Sequence, residues 1–269
     1  AIAGGLVVVA VAIFVAAFTQ VIAGFGFALL AMPIMTLAVP VEKAVVVSTL
    51  LGMVSTSWLA WHLRRDANRP LTKRLALSSF VGMPLGLWIL NVVSDRTLRL
   101  ALGIAVLSAT ALLVRRINLA HVGPGLDVGA GFMSGVLNTS LSTNGPPLVF
   151  DLQARQLPPN EFRATMTAVF ALGNVVGLSL FILDGKITRE GMHAALVALP
   201  AWVIGQGLAW PVRKHVHGER FRWMVLTLLF TAYADPLARE DLAFALSVVL
   251  LGLLMMVTRR NAVSQVVGF

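Results

Sequence analysis

An all-α, polytopic helical membrane protein built from two inverted repeats is the fold predicted for this chain, and three observations predict it. First, hydrophobic residues make up 58% and charged residues 12% of the sequence, about half the charged fraction of a water-soluble domain. Second, the apolar stretches are continuous, as in Ala101–Val114 and Leu242–Val257. A transmembrane barrel would instead alternate over segments of about ten residues. Third, the second half repeats the first. Gly26, Pro40 and Glu42 recur 119 positions later as Gly145, Pro159 and Glu161, and Leu71-Thr72-Lys73 with Pro84 recurs 116 positions later as Ile187-Thr188-Arg189 with Pro200. Asp95-Arg96 is echoed by Glu219-Arg220. A duplicated apolar chain places a site between two packed half-units, the architecture of a transporter.

The elements follow in order. An apolar stretch from Ile2 to Val39 is interrupted at Gln20 to Gly26. Its second arm, residues 26–39, has fourteen residues, about 21 Å as helix and short of a ~30 Å hydrocarbon core. It is predicted to form a re-entrant helical hairpin with a polar tip near mid-membrane; two ordinary kinked crossings are the alternative, and both make an even number of passes. Crossings follow at about 41–63, 71–91 and 97–114. The second interrupted stretch runs from Leu126 to about Leu157 with its break at Asn138 to Pro147, and its arm 145–157 is equally short. Crossings at 160–183, 190–212 and 222–234 complete the second half, and 242–258 is an appended C-terminal helix without a partner in the first. Residues 222–234 are short for a crossing, and the charged run from Asp235 to Asp241 follows at once. The half-units divide at 1–120 and 121–269. The chain begins at Ala1 without a methionine, so its native N-terminus is expected upstream.

A hairpin plus three crossings is an odd contribution, so the second half enters the membrane from the opposite side. Charge tests this independently. On that topology 15 of the 21 Lys and Arg residues fall on one face, among them Arg64, Arg65, Arg115, Arg116, Lys214, Arg259 and Arg260. Only Lys43, Arg96, Arg99, Lys186, Arg189 and Arg239 fall on the other. The positive-inside rule makes the first face cytoplasmic, with the N-terminus outside and the C-terminus inside. The same rule explains the net charge of +9 and removes nucleic acid as a partner. Membrane lipid is the partner of the apolar surface. With no cysteine, disulfides and thiolate metal sites are excluded.

The hairpin tips concentrate the intramembrane polarity. The first reads from Thr19 and Gln20 to Gly24-Phe25-Gly26, and the second from Asn138-Thr139 through Ser142-Thr143-Asn144-Gly145 to Pro146-Pro147. Paired breaks in two halves point to a binding site. The chemistry favours an anion. Each arm leaving a tip starts a helix whose free amides and positive dipole end face the cavity. Neutral donors surround those ends, and no carboxylate lies in either tip, where a cation site would want acidic groups or a ring of carbonyls. Single Ser, Thr or Asn residues here also suit helix-to-helix bonding.

Asp151 is the one acidic residue inside an apolar arm, with Arg155 four positions on. The pair suits either a structural salt bridge or a group that senses protons or a coupling ion. Glu42 and Glu161 complement the dipoles of helix starts. Gly82 with Gly86, Gly131 with Gly135 and Gly173 with Gly177 have the spacing of close helix contacts. Asn174 and Gln206 either line the cavity or bond helices together. Trp58, Trp61 and Trp223 are placed as interfacial anchors. The histidines lack metal-ligand spacing, and no cofactor or metal is expected. There is no His-Glu-x-x-His, paired membrane aspartate or Ser–His dyad, so an enzyme is not expected.

The Gly24-Phe25-Gly26 tip followed by Pro33, Pro40 and Glu42, with Asn144-Gly145-Pro146-Pro147 and Pro159-Asn160-Glu161 in the second half, resembles the sulfite exporter TauE/SafE family, also called the 4-toluene sulfonate uptake permeases. The resemblance covers about residues 5–234 as two copies of the family's repeat. It implies transport of small anions (sulfite, sulfonates such as sulfoacetate, thiosulfate) across the bacterial cytoplasmic membrane. Carried over residue by residue, it puts the site at Gln20, Gly24, Phe25, Gly26, Asn138, Thr139, Asn144 and Gly145. The expected function is a secondary carrier working by alternating access, with an anion channel or a non-transporting membrane assembly protein as alternatives. A homodimer suits a transporter this small, although no sequence feature marks one.

Overall fold

The computed structural model describes residues 2–23, 27–102, 104, 123 and 125–212, and every regular element among them is helical. In chain order these are α1 (Ile2–Ala23), α2 (Phe27–Met35), α3 (Val41–Leu63), α4 (Arg69–Val92), α5 (95–102), α6 (Gly125–Leu141), α7 (Gly145–Ala154), α8 (Pro159–Leu183) and α9 (Arg189–Val212). Among the described residues, α3, α4, α8 and α9 are long and apolar enough to cross a membrane. The predicted crossing at 97–114 is described only at its start. Those at 222–234 and 242–258, and the boundary at 120, lie outside the described residues.

The surface is that of a protein in lipid. Val81, Leu183, Ile204 and Leu208 stand exposed, whereas Thr19, Asn138, Thr139 and Thr165 are almost fully buried. In water this would leave an apolar patch far larger than a monomer carries. Trp58 and Trp61 are exposed in the last turns of α3, and the Arg64 guanidinium lies 3.8 Å over the Trp61 ring, an arrangement suited to the interface with headgroups.

Local chemistry sets the helix boundaries. Pro40 precedes α3 and has no capping side chain, so the cap comes from elsewhere: the Val41 amide donates to Asp95 Oδ1 at 2.6 Å. The start of α4 is capped by Asn68, whose Oδ1 accepts from the Leu71 amide at 3.1 Å. The Asn68 Nδ2 donates to Glu161 Oε1 at 2.7 Å in the first turn of α8. That helix opens on Pro158 and Pro159, where a missing amide costs nothing.

Both interrupted stretches are helical hairpins. In the first, α1 packs along α2, and a Cβ at Gly5 would stand 3.7 Å from the Ala38 carbonyl, so the start of one arm is level with the end of the other. In the second, α6 packs along α7, and Asp127 in the first turn of α6 pairs with Arg155 just past α7. The short arms are 9 and 10 residues, about 14 and 15 Å. The breaks sit later than predicted. Gln20 is still within α1, and Asn138 and Thr139 fill the last turn of α6, because in the second hairpin apolar neighbours let the helix run on until a left-handed residue stops it. Ser142, at φ 54°, is that residue in the second hairpin. Its amide donates to the Asn138 carbonyl and the Thr143 amide to the Leu137 carbonyl, closing the helix end.

The hairpins exchange partners across the molecule. α1 lies against α9 and α6 against α4, while α3 and α8 cross between them. One core gathers α1, α2, α3 and α9 with α5 and the last turns of α4, α6 and α8, and a second gathers the earlier parts of α4, α6 and α8 with α7. The tightest contact is α4 with α6. Cβ atoms at Gly82 and Gly86 would run into the backbone of Phe132 and Val136, and at Gly131 and Gly135 into that of Leu75 and Ser79. These predicted packing glycines bring two backbones together directly.

Candidate functional site

Between the two tips lies a cavity of about 50 Å³, room for roughly three to five waters. Gln20 reaches it from the end of α1, and Phe27 and Ala28 from the first turn of α2. Ser142, Thr143, Asn144 and Gly145 come from the second break, and α3 and α8 supply the walls through Ser48, Gly52, Thr56, Thr167 and Asn174. Leu59, Met166 and Phe170 add an apolar side. Two short helices, α2 and α7, therefore begin at one cavity. Their first amides have no partner within the helix, and their positive ends are directed at the same space. Pro146 and Pro147 have no amide hydrogen, and the Ser142 and Thr143 amides close α6, so at the start of α7 the amides left to face the cavity are those of Asn144 and Gly145.

The lining residues are tied into a polar framework. The Ser55 hydroxyl donates to Gln20 Oε1 at 2.8 Å, and Gln206 Nε2 donates to Ser55 Oγ at 3.2 Å, linking α1, α3 and α9. Asn174 Nδ2 donates to Thr56 Oγ1 at 3.2 Å, and that hydroxyl donates to the Gly52 carbonyl. The Ser142 hydroxyl donates to Ser48 Oγ at 3.2 Å, which joins the second tip to α3. Ser134 Oγ donates to the Asn144 carbonyl at 2.9 Å and fixes the turn. One hydroxyl on the cavity wall is uncommitted: Thr143 Oγ1 is buried and has no hydrogen-bond partner. A buried donor without an acceptor costs about 1–3 kcal/mol, so it is a place where an acceptor would bind.

Of the predicted site residues, Gln20, Ser142, Thr143, Asn144 and Gly145 line this cavity. Thr19, Asn138 and Thr139 are buried behind it, and Gly24, Phe25 and Gly26 lie outside the described residues. Thr139 has a packing partner: its hydroxyl donates to the Met83 carbonyl on α4 at 2.6 Å. Asn138 lies against Gly173 and Gly177, with both amide atoms lacking a hydrogen-bond partner. Thr139→Val is expected to lower stability by about 1 kcal/mol and to leave anion affinity unchanged, which thermal unfolding and a binding isotherm on the same preparation would check.

Ser48, Thr56 and Thr167 were missed as lining residues, being small hydroxyls within long apolar crossings. For Ser48 and Thr167 a signal existed, because the 119-position spacing of the repeat relates one to the other, as it does Ser55 to Asn174; Thr56 has no such counterpart. Among the described lining residues there is neither a carboxylate nor a Lys or Arg. The arrangement can hold a small solute rich in acceptor oxygens through neutral donors and helix ends.

Away from the cavity, Asp151 and Arg155 stand at the far end of α7. Arg155 Nε is 3.4 Å from Asp151 Oδ1, and Asp127, not singled out from the sequence, joins them. It sat unnoticed because it lies at a helix start, where an acid complements the dipole. A model of the family described as sulfite exporter TauE/SafE matches residues 9–235. No curated protein and no solved structure matches the chain significantly.

Proposed function

Because the chain belongs to the sulfite exporter TauE/SafE family, a family of membrane transporters and not of enzymes, we propose that it is a secondary carrier of sulfite, sulfonates such as sulfoacetate, or related small organic anions. The observation that carries this reading is the meeting of α2 and α7 at a cavity lined by neutral donors, with the free Thr143 hydroxyl among them. Charge-assisted hydrogen bonds contribute about 1.5–3 kcal/mol each and a helix end about 0.3–2 kcal/mol. Side-chain donors therefore set most of the affinity, and the helix ends set its sign. Gln20, Ser142, Thr143, Asn144 and Gly145 bind the anion, Gly24, Phe25 and Gly26 complete the first tip, and Thr19, Asn138 and Thr139 support the second layer.

The carrier works by alternating access in the bacterial cytoplasmic membrane, with the N-terminus outside and the C-terminus inside. The exchanged pairing of α1 with α9 and α6 with α4 supports two inverted half-units related by a twofold axis in the membrane plane. The lining residues of α3 and α8 fall in the middle and inner portions of those helices. At the outer ends, Lys43 pairs with Glu190, and Lys186 Nζ lies 3.0 Å from Glu42 Oε1. These pairs tie α3 to the first turn of α9 and to the segment just before it.

Purified protein heated with sulfite, thiosulfate, sulfoacetate and simple carboxylates tests the reading. A bound anion at about 100 times its dissociation constant raises stability by about 2.7 kcal/mol. A panel in which none of these anions shifts the melting temperature overturns the proposed site. In liposomes, saturable counterflow marks a carrier, and large unitary currents would mark a channel.

A further inference from the structure

Four ionisable side chains from three helices meet at the end of α7 away from the cavity. Asp127 comes from the first turn of α6, Arg74 from the second turn of α4, Asp151 from the end of α7 and Arg155 from just past it. Asp127 is fully buried and takes both cations, with Arg74 Nε at 2.9 Å from its Oδ2 and Arg155 Nη2 on its Oδ1. Asp151 is equally buried, yet neither of its oxygens receives a hydrogen bond. Arg155 Nε attracts it from 3.4 Å, and on its other side stands the Asp127 carboxylate. α8, also packed on α7, shares an apolar cluster with it through Phe162 and Met166; its first-turn Glu161 is turned to Asn68, and its Arg163 is exposed and has a partner of its own.

A buried carboxylate without donors is poorly housed as an anion. As an acid, Asp151 has an acceptor waiting in Asp127. Uptake of one proton from water converts the Asp151 carboxylate to a carboxyl group, breaks no covalent bond, and takes the four side chains from net neutral to one positive charge. We propose that Asp151, paired with Asp127, is the binding site for a proton whose movement is coupled to that of the anion, an inference that rests on the transport reading above. The ten-residue helix α7 joins the two sites directly, because Gly145 at its start lines the cavity and Asp151 stands near its end. A change in which carboxylate Arg155 holds displaces this helix, and with it the tip that touches the anion.

The test uses the full chain in liposomes with radiolabelled sulfoacetate and thiosulfate, the membrane potential clamped at zero. For one proton per anion, a gradient of about one pH unit displaces the anion distribution roughly tenfold. Wild-type protein is expected to show this displacement. In Asp151→Asn, counterflow at equal pH is expected to continue while the displacement vanishes. A tenfold displacement retained by D151N overturns the proposal, and so does loss of counterflow and displacement in equal measure, which would mark a structural salt bridge. Should D151N fail to insert, Asp151→Ala takes its place. If neither inserts, wild-type protein decides: a distribution unmoved by the gradient overturns the proposal, and displacement accompanied by proton movement on a pH-sensitive dye supports it. Absence of counterflow in wild type would instead sink the carrier reading itself.

Discussion

Gln20→Leu and Asn144→Leu are each expected to weaken anion binding by about 10- to 100-fold, and together to carry it beyond detection, while the purified protein keeps its fold. Each removes one side-chain donor from a cavity lined by neutral groups, and one charge-assisted hydrogen bond is about 1.5–3 kcal/mol. Each also adds apolar surface to a space of about 50 Å³, where a branched methyl pair competes with the solute for volume. The fold should survive because the framework is redundant. Ser55 loses Gln20 as acceptor but remains held by Gln206, and the Asn144 carbonyl, which accepts from Ser134, belongs to the backbone and stays. Isothermal titration with the best anion from the thermal panel provides the measurement. Isotherms unchanged in both variants would remove the tips from the site.

The second large effect is on stability and concerns Gly135. A Cβ there would meet the backbone of Ser79, with the Ser79 carbonyl carbon only 2.7 Å away. Backbone atoms in the middle of α4 cannot step aside singly, so even Gly135→Ala must push α4 and α6 apart along a seam shared with Gly82, Gly86 and Gly131. A loss of about 3 kcal/mol is expected, at the upper end for overpacking. Gly129, six residues earlier on the same helix, is the control, since a Cβ there meets nothing within 4 Å. Gly129→Ala is expected to raise stability by about 0.5–1 kcal/mol through helix propensity alone. Opposite signs in thermal unfolding would separate the seam from the lipid face. Equal shifts would mean the seam is not close-packed.

Much of this was legible before any coordinates. The crossings at 41–63, 71–91, 160–183 and 190–212 were readable because membrane helices announce themselves by continuous hydropathy. The two interrupted stretches were readable as pairs of helices because polar and glycine residues break otherwise apolar runs. What escaped were facts of adjacency. Asp127 is far in sequence from Arg74 and Arg155, and nothing local says that three helices will bring them together. Ser48, Thr56 and Thr167 are ordinary hydroxyls until α3 and α8 cross beside the tips. The breaks were placed early because Gln20, Asn138 and Thr139 look like loop residues by polarity. A helix end set by capping geometry at Ser142 tolerates polar side chains in its last turn when neighbouring helices bond them.

The crossed pairing of α1 with α9 and α6 with α4 also dictates an order of biogenesis. The α4–α6 seam can close soon after α6 emerges, whereas the seat of α1, where Gly205 meets the Phe14 carbonyl, does not exist until α9 has been made. At ordinary synthesis rates that interval is roughly 10–40 s. During it, a long apolar helix with a buried-type glutamine near its end sits in the bilayer or the insertion machinery without its mate. Of the described helices, α1 is therefore the one that waits longest for its packing partner.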